Sequence, residues 1–165
     1  MNKAAFGMEN CVDLYEKLKY EYSFMNRLHM EPYIVFNFLT TAKHIIDWII
    51  NDKNIDKNVR DEIAGVRKLE KNNRDFYIIN SLCNHSKHFV LDEKNKNKEI
   101  QKREKHYNID FSDIDFNDFF SEKCKYFVED NNELVEVYEI CTRYLDYITD
   151  FMMRNNNEFK RLNYL

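Results

Sequence analysis

The stretch NELVEVYEICTRYLDYITDFMMR, residues 132–154, decides the fold class. Leu134, Val137, Cys141, Tyr144, Leu145, Ile148 and Met152 recur at three- and four-residue steps, the stripe that an amphipathic helix turns toward a core. Upstream the same period returns. Cys11, Leu14, Leu18, Tyr22, Met25 and Leu28 mark a helix over 10–29. Pro32, a residue favoured at the first helical position, opens a second over 32–51, apolar over more than half its circumference and therefore central. Val59, Ile63 and Val66 mark a weaker helix over 56–71, and Ile78, Ile79, Leu82, Cys83 and Phe89 another over 74–89. The pattern predicts a mainly α chain, a bundle of four to five helices.

Between 94 and 129 the pattern changes. Residues 94–106 hold six Lys/Arg against Glu99 and Glu104 and read as a basic loop. Then Ile109, Phe111, Ile114 and Phe116 alternate with polar residues, and Tyr126, Phe127 and Val128 precede a turn-like Asp130-Asn131-Asn132. This predicts a small β-hairpin over 107–129, inserted before the last helix. At 165 residues the chain suits a single domain, 1–165, with one core. Two glycines and one proline exclude a phosphate-cradling loop, a dinucleotide fingerprint and a turn-rich β-sandwich.

A formal net charge of -4 requires no polyanionic partner. Cys11, Cys83, Cys124 and Cys141 form no CxxC pair, so zinc-ribbon, thioredoxin-like and disulfide-framework readings lack support. No signal-like apolar run precedes residue 12. The most apolar segment, 34–50, carries Asn37, Lys43, His44 and Asp47, which are costly in lipid. The expected setting is reduced and cytoplasmic, away from membranes.

Candidate chemistry lies on two polar stripes. The fourth helix carries Tyr77, Asn80, Ser81, Asn84, His85 and His88 on its non-core side, and no residue from 76 to 86 is charged. An exposed helix face in a chain that is 33% charged should carry Lys or Glu, so neutral Asn, Ser and His there point to partial burial. On the second helix Asn37, Thr40, Thr41 and His44 align, with Asp47 one turn on and Lys43 as another charge. Such stripes are buried at low cost against each other, a ligand or another chain. A structural polar network, or an Asn- and Lys-rich composition, accounts for the same pattern without function.

Asn84-His85-Ser86-Lys87-His88 resembles the signature of the HEPN superfamily, helical-bundle domains of bacterial toxins and abortive-infection proteins, in which an Arg-Asn pair precedes a His near a helix end. Asn84 and His88 match its last two members; Cys83 stands where the family's nucleases carry Arg. More broadly, Thr41-Ala42-Lys43-His44-Ile45-Ile46-Asp47-Trp48 together with Asn84-His85-Ser86-Lys87-His88-Phe89 resembles a group of small bacterial proteins with TAxHxxDW and NxxKHF stretches, over residues 32–154. The resemblance implies a homodimer that brings two motifs together and metal-independent RNA cleavage. His88 would be acid/base, with Asn84 and His85 beside it. His44, Asp47, Asn37, Thr41, Ser81, Tyr77 and Lys87 would form a supporting polar cleft. Imidazole can move a proton from a ribose 2′-hydroxyl and to a leaving oxygen near neutral pH. A cation must then meet the charge developing on phosphate. Lys87 lies roughly 100° from His88 round the helix, Arg67 and Arg74 are further away in sequence but could approach in a dimer, and Cys83 cannot supply a bidentate clamp, so either the dimer brings in that cation or the ribonuclease implied is degenerate.

Other readings of the same residues stay open. His85-x-x-His88 and His44-x-x-Asp47 have i, i+3 spacing compatible with a metal, although no metal or cofactor is expected. Cys83 as a thiol nucleophile conflicts with its apolar side of the helix. Lys98, Lys102, Arg103 and Lys105 are candidate RNA-backbone contacts. Three functions compete: an HEPN-like RNA-directed toxin or phage-defence protein, a non-catalytic module for a partner protein (an antitoxin or regulator), RNA or nucleotide, and a structural dimer subunit.

Overall fold

The computed structural model describes residues 7–27, 30–68, 73–87, 103–107, 124–130 and 133–162, with the backbone alone at 67–68, 85–87, 103–107, 124–125, 129–130 and 133. Among these run α1 (Cys11–Ser23), α2 (Pro32–Asn51), α3 (Lys57–Lys68), α4 (Arg74–Lys87), β1 (Arg103–Tyr107), β2 (Cys124–Asp130), β3 (Glu133–Glu136), α5 (Val137–Arg154) and α6 (Asn156–Leu162). The protein is mainly helical, with a small antiparallel β element before the last helices.

Local chemistry sets the helix starts. Asn10 Oδ1 accepts from the Val12 and Asp13 amides at 2.8 and 3.3 Å, while the Asp13 carboxylate accepts from the Asn10 amide at 3.1 Å. This capping box satisfies donors that the first turn of α1 would leave bare. Pro32 enters α2 at the first turn, where its missing N–H costs nothing. Asp56 Oδ1 receives the Asn58 amide at 2.8 Å at the head of α3.

Helix α2 packs against α1, α3 and α4; α4 packs on α5, and α5 returns to α1, so α1, α2, α4 and α5 close a four-helix ring. Its interior holds Leu18, Phe38, Ile45, Ile78, Ile140 and Phe151, all essentially inaccessible to water. Burying such a side chain stabilises by roughly 1.5–3 kcal/mol. Across the ring the buried Tyr144 hydroxyl donates to the Ala42 carbonyl, tying α5 to α2. The α1–α5 seam is polar: Tyr15 donates to Thr149 at 2.9 Å, and the Tyr22 hydroxyl lies 2.7 Å from that of Thr142. Burial pushes the Tyr22 phenol up to about 12.

The sheet order is β1-β2-β3, antiparallel throughout, with Arg103 opposite Val128, Val128 opposite Val135 and Asp130 opposite Glu133. Val128 is fully buried and joins the helical core, and β2 and β3 lie on α5.

The structure departs from the sequence expectation in five places. The first helix ends at Ser23, not 29: the Phe24 and Met25 amides turn back to Glu21 and Tyr22, and Met25 and Met30 reach the core from non-helical backbone. Arg27, in the turn that follows, grips Glu136 at 3.0 and 3.2 Å and Glu139 at 2.7 Å. The last helix begins at Val137, not 132. Glu133–Glu136 is strand, because β2 offers a ladder, and Leu134, expected in the core stripe, is 54% exposed. The β element is accordingly three strands rather than one hairpin over 107–129, and its tight hairpin is β2–β3; Ile109, Phe111, Ile114 and Phe116 lie outside the described residues. Part of the expected basic loop 94–106 is β1, since Arg103–Tyr107 pairs with the β-branched and aromatic residues of β2. Finally, a short α6 follows a break at Asn155 and buries Phe159 and Leu162. The expected ends of the third and fourth helices, 69–71 and 88–89, lie outside the described residues.

Candidate functional site

Helix α2 presents polar groups in two directions, because Thr41 and Lys43 lie roughly 160° apart round the helix. Toward α1, Lys17 Nζ donates to Thr41 Oγ1 at 2.6 Å and pairs with Glu21 one turn along its own helix. Glu21 is 8% exposed; its Oε2 and the Thr40 Oγ1 are buried with no hydrogen-bond partner among the described residues. Toward α4, Lys43 Nζ donates to Asn84 Oδ1. Beside that contact lies a cleft of about 40 Å³ whose polar lining is Lys43, Asp47 and Asn80 and whose apolar lining includes Ile46, Phe76 and Ile79. A cavity of that size holds about three waters. It does not enclose a nucleotide, so a larger ligand would lie across its mouth. Tyr144 also lines it, and burial, then Tyr147 and Asp47, raises that phenol well above its usual range.

The Lys43–Asn84 contact has a definite polarity. An ammonium only donates, so Asn84 presents its oxygen to Lys43 and keeps its NH₂ as a donor pair. Among the described residues no carboxylate lies within ion-pair distance of Lys43. Arg27, Lys57, Arg143 and Arg154 by contrast each sit on a carboxylate. The groove between α2 and α4 therefore carries a half-buried positive charge held by a neutral amide.

The structure brings Asp47 and Asn84 of the expected site to this groove, with Lys43 and Asn80. It does not bring Thr41, which faces α1 and serves Lys17. Asn37, expected to support the cleft, is exposed beside exposed Tyr33 and Phe36, in first turns of α2 that no described element covers on that side. His44 is half-buried, and Ser81 is buried at 6% exposure. Tyr77 is half-buried with the Arg74 guanidinium 4.7 Å from its ring centroid, a cation–π arrangement. His85 and Lys87 fall in the last turn of α4, where only the backbone is described; His88, Lys98 and Lys102 lie outside the described residues. Arg103 and Lys105 stand on β1, not in a loop. Cys83 is 0% exposed, a core residue.

Asn80 stands on the expected polar stripe without an assigned role, and Lys43 stands there only as another charge, although Lys43 and Asp47 are spaced i, i+4 and so share a face. The Lys17–Glu21 pair was missed too; its signal was Glu21 falling in step with Leu14 and Leu18 on a buried stripe. Among the described residues no group of three or more His, Cys, Asp or Glu side chains is placed to hold a metal ion. No described helix is long and apolar enough to cross a membrane. No protein-family model, curated protein or solved structure matches the chain.

Proposed function

We propose that the chain is an HEPN-like, RNA-directed protein of the toxin or phage-defence kind, acting as a homodimer through the α2–α4 groove. The observation that carries this reading is the Lys43–Asn84 contact: the second residue of the motif is held beside a cation although position 83 is cysteine. RNA cleavage without a metal needs a group near neutrality to move protons and a positive charge near the phosphate. His88 would supply the first, and Lys43, next to Asn84, would supply the second.

A second reading, a non-catalytic relative that binds RNA or a partner protein through the same groove, is favoured by the burial of Cys83. An Arg at that position would have to thread its guanidinium out of the core to reach a phosphate. Without it the bidentate clamp is missing, and Lys offers a point charge only.

One experiment separates the readings. The purified protein is incubated with total RNA, with and without EDTA, alongside His88→Ala. Cleavage that survives chelation and disappears in the variant supports the nuclease. Intact RNA that co-elutes with the protein supports the binding module. Intact, unbound RNA at high protein concentration, with a monomer by light scattering, removes the nuclease and the RNA-binding form of the second reading, and leaves its partner-protein form.

A further inference from the structure

The geometry points to Lys43 and Asn84 as a phosphate-binding pair for a single-stranded RNA backbone, an assignment that rests on the RNA-directed reading above. Lys43 is half-buried, so its charge is felt more strongly than that of a fully solvated lysine. Its described partner is the neutral oxygen of Asn84, which orients the ammonium without cancelling its charge. Two N–H donors of Lys43 and the NH₂ of Asn84 are then left over from that bond, a donor set that suits the non-bridging oxygens of one phosphodiester. The neighbouring cleft has Asn80 and Asp47 on its polar side and Phe76 and Ile79 on its apolar side. It is too small to swallow a base, so the chain would pass over it with its backbone on Lys43. Lys17, which reaches α2 from α1 at Thr41, is excluded from this role because Glu21 neutralises it.

The test is binding of a short 2′-O-methyl oligoribonucleotide, which resists cleavage, to the full chain over a series of salt concentrations. Each phosphate contact on a single strand adds about 0.7 to the slope of log affinity against log salt. Lys43→Met is expected to weaken binding and flatten the slope by about that amount for each lysine removed, while Lys43→Arg keeps it. Asn84→Asp places a carboxylate against Lys43 and is expected to flatten the slope with the lysine still present. If wild type binds and both Lys43→Met and Asn84→Asp keep its slope, the pair does not hold phosphate, although the RNA reading stands. If Lys43→Met fails to fold, Asn84→Asp decides alone in the same way. If wild type does not bind RNA at all, both the pair and the RNA reading fall.

Discussion

The two flanks of α2 use the same kinds of side chain to opposite ends. Against α1, a lysine, a glutamate and a threonine close on one another, and the charge is cancelled inside the protein. Against α4, a lysine meets an asparagine and the charge survives at the lip of a cleft. A buried ion pair contributes little net stability, yet it is costly to break. A half-buried ammonium with no carboxylate in ion-pair contact is the opposite: it adds little to folding and more to the local potential, which Asp47 in the same cleft lining offsets in part. Polar residues on one helix are thus not one feature, and which neighbour each meets separates architecture from a candidate site.

The largest effect expected from breaking this contrast is on the α1 flank. Lys17→Met leaves the Glu21 carboxylate 8% exposed without its ammonium. It should cost about 2–3 kcal/mol in denaturant unfolding, below the usual range for a broken buried pair because Lys17 itself is 38% exposed. Adding Glu21→Leu should restore most of that loss, since an apolar replacement removes the stranded charge. Next comes the tie across the ring: Tyr144→Phe deletes the buried bond to the Ala42 carbonyl and should cost about 1–2 kcal/mol by the same measurement. On the α4 flank Lys43→Met should cost less than about 1 kcal/mol, one partly exposed hydrogen bond. A larger loss there would mean that the groove is held together as tightly as the α1 seam, and the contrast would fail.

Alkaline titration sharpens the comparison with no mutation. Burial raises the Cys11 thiol and the Tyr22 phenol on the α1 side to about 12, and it raises Tyr144 between the flanks. The folded chain therefore keeps protons that the unfolded chain gives up above about pH 9 for the thiol and about pH 10 for the phenols. Stability should be level below that window and fall as pH rises through it toward 12, because the unfolded state then binds fewer protons. Thermal melts from pH 8 upward check this; stability rising over the window would contradict the burial of these groups.

The helical period was legible wherever an apolar stripe stayed on one rod, as in α2, whose ends match the reading at Pro32 and Asn51. It misled where a stripe crossed a change of backbone. Met25 keeps helical step with Leu18, yet it reaches the core from a turn. Leu134 keeps step with Val137 and Cys141, yet it lies on a strand, where period two governs and the outer side belongs to it. For the site, the sequence could mark Asn84 and Asp47 as polar positions on facing helices. It could not show that Thr41 answers to α1, since this depends on where Lys17 lies on another element, which no local spacing encodes.

Strand β3 passes into α5 with no residue between them: Glu136 ends the one, stands at the N-terminal boundary of the other and receives Arg27 from the turn that follows α1. Such a splice has no linker, so a rotation of the hairpin can be absorbed only by the backbone dihedrals at this junction before it reaches the long helix. Inserting one residue there would rotate α5 by roughly 100° against the ladder, and a protein that tolerated it would have to unhook Arg27 first.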